Sequence, residues 1–168
     1  MTQMNNTGLL TIDMFNKLAG QETLHPLVCL FDLSRNTLVE KLCMPCDFYA
    51  LVYEKDSIAP DRTFLRLVKP GEMFEIPSFR YGKHIEPEGV LFHPDLLCDT
   101  SLEQNISQYP TRCRCHKYLS VREKQVLKGC LNDIEQELHH AIDRHSSPII
   151  VLQIELLLNY CTRICCQK

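Results

Sequence analysis

The period of the hydrophobic pattern changes along this chain, and each change predicts a different element. Leu9, Ile12, Phe15 and Leu18 fall about three apart, which predicts a short helix or arm over 9–19, ended by Gly20. The run LVCLFDL (27–33) reads as a buried strand, closed by the turn residues Ser34, Arg35 and Asn36. FYALVYEK (48–55) is aromatic and β-branched, as a pleated surface prefers. TFLRLV (63–68) and EMFEI (72–76) flank Pro70-Gly71 and together predict a hairpin. GVLFH (89–93) is a further strand stopped by Pro94. A short helical piece follows over 101–107, and TRCRCH (111–116) alternates like a last strand. Short strands punctuated by Gly and Pro predict a small sandwich or barrel.

The last third switches to helical periodicity. Ser120 and Glu123 have the spacing of a capping box and open a helix over 120–144. Its apolar positions Leu127, Leu131, Ile134, Leu138 and Ile142 are separated by four, three, four and four residues, close to a coiled-coil seam. Ser146, Ser147 and Pro148 interrupt the pattern, and a second helix over 147–166 is apolar on more than one face. Such a helix needs two burial partners. A helix pair packed on both the strands and a twin subunit satisfies both patterns, so a homodimer through residues 120–166 is expected. The fold class is α+β, and the pattern suggests a sensing and dimerisation module separated from what it controls.

Composition narrows the classes. At 168 residues the chain suits one domain. Its 45% hydrophobic and 23% charged residues are those of a globular protein. A net charge of −3 gives no bulk attraction for phosphate backbones, so DNA would have to be touched by another segment. No apolar run looks long enough for a membrane, and the N-terminus lacks the basic lead of a signal peptide. A cytoplasmic protein is expected, with its ten cysteines as free thiols rather than a disulfide scaffold.

Candidate chemistry is sparse. Cys43 and Cys46 have Cys-x-x-Cys spacing, and Cys113, Cys115 and His116 could complete a zinc site. In a strand, however, Cys113 and Cys115 point to one face as core residues, and no metal or other cofactor is expected. His84 and Glu86 are the best placed of the remaining metal or base candidates, but no His-x-His pair accompanies them. The basic cluster Arg112, Arg114, Lys117, Arg122, Lys124 and Lys128 reads as a solvated face. Glycine loops for nucleotides and nucleophile elbows are absent.

Three stretches carry a more specific signal: ETLHPLVCLFDLSR (22–35), GVLFHPDLL (89–97) and the tail YLSVREKQVLKGCLNDIEQELHHAIDRHSSPIIVLQIELLLNYCTRI (118–164). They resemble the N-terminal half of AraC-family transcription regulators, and VKPGEMFEIP (68–77) is similar to the second half of a cupin motif without its histidines. The resemblance implies a cupin-like jelly-roll β-barrel followed by two amphipathic helices. On this view 1–20 is an arm or short helix, 21–117 the barrel and 118–168 the helical dimerisation segment, within one structural domain. It implies an effector-sensing, dimerising domain, not an enzyme, that reaches DNA only through a separate helix-turn-helix domain. The effector would be a sugar or another small metabolite. The alternatives are a small cupin enzyme, an isomerase or a metal dioxygenase, and a purely structural dimeriser.

A barrel of this size has room for side chains or one small ligand. On FYALVYEK, either Phe48, Ala50 and Val52 or Tyr49, Leu51 and Tyr53 face inward. The tyrosines offer stacking surface and hydroxyls, so the second set is preferred. Arg66 shares a face with Phe64 and Val68 and could grip a carboxylate or sugar hydroxyls. Tyr49, Tyr53 and Arg66 are therefore the ligand-binding candidates. The alternative leaves Arg66 in solvent and the tyrosines as core filler.

Overall fold

A computed structural model describes residues 8–33, 42–56, 63–76, 85–111 and 119–166. Helix α1 (Ile12–Ala19) begins where the Thr11 hydroxyl accepts from the Met14 N–H at 3.2 Å. It ends at Gly20, whose φ of 67° is the left-handed conformation that a helix C-terminus favours in glycine. Ile12, Phe15 and Ala19 are buried, so this segment is anchored in the core rather than lying loose on the body.

Six strands are described: β1 (Val28–Asp32), β2 (Leu42–Pro45), β3 (Tyr49–Asp56), β4 (Thr63–Val68), β5 (Met73–Ile76) and β6 (Ile85–Phe92). They form two antiparallel sheets, one of four strands in the order β1-β6-β3-β4 and one of β2 and β5. The class is therefore α+β as expected, but the described strands do not close into a barrel. The predicted hairpin over 63–76 is also corrected. β4 pairs with β3 and β5 pairs with β2, so the turn at Pro70-Gly71, with Gly71 at φ 87°, carries the chain from one sheet to the other. The other edge of β4 is met by Thr111, whose carbonyl accepts from the Leu67 N–H at 2.9 Å. The rest of the expected strand at 111–116 lies outside the described residues.

Both faces of the four-stranded sheet are covered. Cys29, Phe31, Ala50, Val52, Val68 and Leu91 face the two-stranded sheet and α1, where Phe74 meets Phe15, Phe31 and Phe48 edge-on. Val28, Leu51, Tyr53, Leu65, Leu67, Val90 and Phe92 face a layer of helices. After β6, a 3₁₀ turn (Pro94–Leu97), α2 (Ser101–Asn105) and a second 3₁₀ turn (Ile106–Gln108) lead towards α3 (Val121–His139) and α4 (Ser146–Cys166). The predicted capping box is present. The Glu123 N–H donates to the Ser120 hydroxyl at 3.1 Å, and the Ser120 N–H donates to the Glu123 carboxylate at 2.8 Å.

Helix α3 stops five residues before the predicted end, so Ile142 lies outside it and is 63% exposed. Residues Ser146–Cys165 have the length and hydropathy of a membrane span, which the sequence reading did not expect. In this fold Ile150, Ile154, Leu157, Leu158 and Cys161 of that helix are buried in the layer against the sheet. Cys29, Cys43, Cys46, Cys98, Cys130 and Cys161 are free. Cys165, in contrast, is disulfide-bonded, which corrects the expectation of ten free thiols. That expectation rested on compartment alone, whereas pairing depends on which thiols the fold brings together.

Candidate functional site

Alternation along β3 decides which side chains meet the helices. Tyr49, Leu51 and Tyr53 face the helix layer, and Phe48, Ala50 and Val52 point between the sheets, so the preferred inward set is reversed. The space between the sheets is filled by phenylalanines and aliphatic side chains. Tyr49 stacks on Phe92 with ring centres 5.3 Å apart and acts as packing. Arg66 does share the inter-sheet face, opposite Val52 on β3, and its Nη2 is engaged within the fold while its buried Nε has no hydrogen-bond partner among the described residues. Nη2 donates to the Glu75 carbonyl at 2.8 Å and pairs with Glu54 at 3.4 Å, bridging the two sheets at their edge. Of the three ligand candidates, Tyr53 alone lines a substantial cavity.

That cavity lies between the helix-facing side of the sheet and α3, with a volume of about 210 Å³. Leu51 and Leu65 form its floor, and Leu127, Leu157 and Cys161 form its apolar walls. Tyr53, Glu88, Lys124 and Lys128 bring polar groups to it. A second lobe of about 210 Å³ continues under α3 past Glu88, Gly89, Lys128 and Leu131, which line both, to Asp32 and Glu135.

The register explains this placement. Tyr53 pairs with Leu65 on one side and Glu88 on the other, and Glu88 pairs with Asp32. Cross-strand partners share a face, so Asp32, Glu88, Tyr53 and Leu65 form one row beneath α3. Lys124 and Lys128 stand one helical turn apart on α3, above that row. Glu88 is only 9% exposed, a burial that carboxylates tolerate when they are paired. Gly89 sits beside it. A Cβ there would run into the Leu51 carbonyl oxygen, so β6 and β3 can approach closely only because this residue is glycine. Burial pushes the Cys161 thiol up to about 12, so the wall it contributes is neutral.

The sequence pattern pointed to Tyr53 but missed Asp32 and Glu88. Their signal is present, because each occupies the helix-facing parity of its strand, in step with Val28 on β1 and with Val90 and Phe92 on β6. Of the cluster read as a solvated face, Arg122 and Lys128 are exposed as expected and Lys124 is half-buried, and the two lysines also line the rim of the cavity. Arg112, Arg114 and Lys117 of the same cluster lie outside the described residues.

The dimer seam is corrected as well. Leu127, Ile134 and Leu138 are buried inside the protomer, Leu131 is half-buried over the cavity, and Ile142 is past the end of α3. The outward apolar stripe is on α4 instead, where Ile149, Leu152 and Leu156 are 40%, 64% and 43% exposed.

Cys43 and Cys46 differ in exposure and do not converge on a shared site. Cys43 is exposed, while the buried Cys46 thiol faces the carbonyl oxygens of Phe48, Glu72 and Lys69 at 3.2, 3.6 and 3.8 Å. Cys113, Cys115, His116, His84 and the Glu86 side chain lie outside the described residues. Among the described residues no three His, Cys, Asp or Glu side chains are grouped to hold a metal. A smaller polar pair joins His93 to Asp47 at 3.9 Å, where burial raises the Asp47 carboxyl above its usual range against the pull of His93. No protein-family model matches the chain, and no curated protein matches it.

Proposed function

We propose that this chain is the effector-sensing and dimerisation domain of a bacterial AraC-type transcription regulator, with the cavity beneath α3 as its effector site. The sequence resemblance supports the class, and the two sheets with their covering helices are read as an opened cupin-like jelly roll. The observation that carries the reading is the position of the cavity. It is roofed by α3, and α3 packs along α4, whose outer stripe of Ile149, Leu152 and Leu156 has no partner among the described residues. An effector wedged between sheet and α3 therefore bears on the helix pair that presents the stripe. A ligand with unequal affinity for two arrangements of that pair shifts their populations, and with them a helix-turn-helix unit attached to the domain. On this reading the protein works in the cytoplasm, is not an enzyme, uses no cofactor, and meets DNA only through that unit.

The occupant of the α4 stripe is a second copy of the chain. Three large aliphatic side chains spaced three and four apart on one helix make a self-complementary seam about a two-fold axis. Light scattering on the wild type and on the double variant Leu152→Glu/Leu156→Glu tests this. Both positions are exposed, so the fold should survive the change, and the expected result is a dimer that becomes a folded monomer. A dimer that persists in the variant, or a monomeric wild type, removes the interface and with it the proposed mechanism.

A further inference from the structure

The two lobes of the cavity carry opposite charge character. The first is walled by Leu51, Leu127, Leu157 and Cys161, with Lys124 and Lys128 above it. The second presents the carboxylates of Asp32, Glu88 and Glu135, with Lys128 at the junction. Asp32 and Glu88 are directly paired across β1 and β6, so two like charges stand side by side on the sheet. That arrangement is unfavourable unless cations gather around it. An apolar pocket, a pair of carboxylates and a pair of ammonium groups thus meet at one junction.

We infer that the cavity recognises a free α-amino acid with an aliphatic side chain. The ligand ammonium sits against Glu88 and Asp32, the ligand carboxylate meets Lys128 and Lys124, and the side chain enters the apolar lobe. A simple fatty carboxylate fits less well, because its head group would face Glu88. A simple amine leaves the two lysines repelling it. Asp32, Glu88 and Lys124 are engaged within the fold too, so the ligand's charges join an existing network. Size agrees, since the first lobe of about 210 Å³ is many times the space that one water needs. The four-carbon side chain of leucine and its α-carbon fit within that space, and the two charged groups reach the junction.

This rests on the cavity being the effector site, and the experiment separates the two ideas. The intact chain is titrated by calorimetry and thermal shift with L-leucine, N-acetyl-L-leucine, L-leucinamide and 3-methylbutan-1-ol. The acetyl derivative lacks the ammonium, the amide lacks the carboxylate, and the alcohol keeps only the apolar body. Leucine is expected to bind and raise the melting temperature, with each half-charged analogue at least about tenfold weaker. Glu88→Gln and Lys128→Gln should each lower leucine affinity about tenfold, and Leu131→Trp, at a half-buried position lining both lobes, should block binding. Equal binding of leucine and either analogue overturns the amino-acid assignment. Failure of leucine while the alcohol binds, and is excluded by Leu131→Trp, overturns that assignment and leaves the cavity as the effector site. Failure of both removes both ideas.

Discussion

Gly89 shows how much can hang on one missing side chain. It lies mid-strand in β6, paired with Val52 on β3 and Phe31 on β1, where a glycine costs conformational entropy and contributes no packing. What it permits is close approach, since any Cβ would meet the Leu51 carbonyl oxygen and the Val52 α-carbon. Both obstacles are backbone and cannot swing aside. Gly89→Ala is therefore expected to destabilise the fold by about 3 kcal/mol or more, measured by urea unfolding. A variant as stable as the parent would mean that β3 and β6 do not lie this close. His25 gives a second residue-scale prediction. It is buried, its Nδ1 accepts from the Leu27 N–H at 3.0 Å, and burial lowers its pKa below 6.5. The unfolded chain then binds the proton more readily than the folded one. Stability from this group is complete above about pH 6.5 and is lost as pH falls below that value towards the folded pKa. His25→Asn keeps an acceptor but cannot titrate, so its unfolding free energy should fall less than the parent's between about pH 7 and pH 5. Identical slopes would show that His25 is not the group responsible.

At the scale of elements, what could be read from the sequence was local chemistry. The Ser120–Glu123 box needs only three residues of spacing, and the structure shows both of its hydrogen bonds. Removing half of it in Ser120→Ala should cost about 1 kcal/mol of stability, read by thermal unfolding, with the helix content of the folded state unchanged. A variant with no loss would show that water replaces the cap at no cost. Gly20 as a helix stop and Gly71 as a turn were legible for the same reason, because positive φ favours glycine. Pairing was not legible. Pro70-Gly71 announces a reversal, yet the strands on either side belong to different sheets, and nothing within ten residues encodes a partner strand. LCMP at β2 is too short and too weakly alternating to signal a strand at all. The α3 stripe has the same spacing whether it meets a twin helix or its own sheet, and here the sheet takes it. The β3 alternation carries a two-fold ambiguity that composition could have resolved only if one face were polar. Both faces are buried, so the sequence left the choice open.

The whole molecule is organised by one sheet that is covered twice. Its β1-β6-β3-β4 strands separate an aromatic layer, shared with β2, β5 and α1, from the helix layer that holds the cavity. The two layers differ in how they are closed. The aromatic layer is packed through Phe15, Phe31, Phe48 and Phe74. The helix layer is interrupted by a charged row and open space, which suits a binding function more than rigidity. This arrangement predicts an order of local stability. β3 and β6 are central strands with hydrogen-bonded neighbours on both edges and apolar cover on both faces, so their amides should open only with global unfolding. β2 and β5 form a two-stranded ribbon, a unit that is marginal by itself and is held by one face alone. Amide hydrogen exchange should therefore rank β3 and β6 slowest, with β2 and β5 faster by a factor of about ten or more, since roughly 1.4 kcal/mol of local opening free energy corresponds to tenfold. An effector in the cavity should slow exchange in α3 and in β6 around Glu88 while leaving β2 and β5 unchanged, because those two strands lie on the far side of the sheet from it. Protection that spread equally to β2 and β5, or β2 and β5 as slow as β3 in the free protein, would mean that the two layers form a single cooperative unit and that binding is not confined to the helix side.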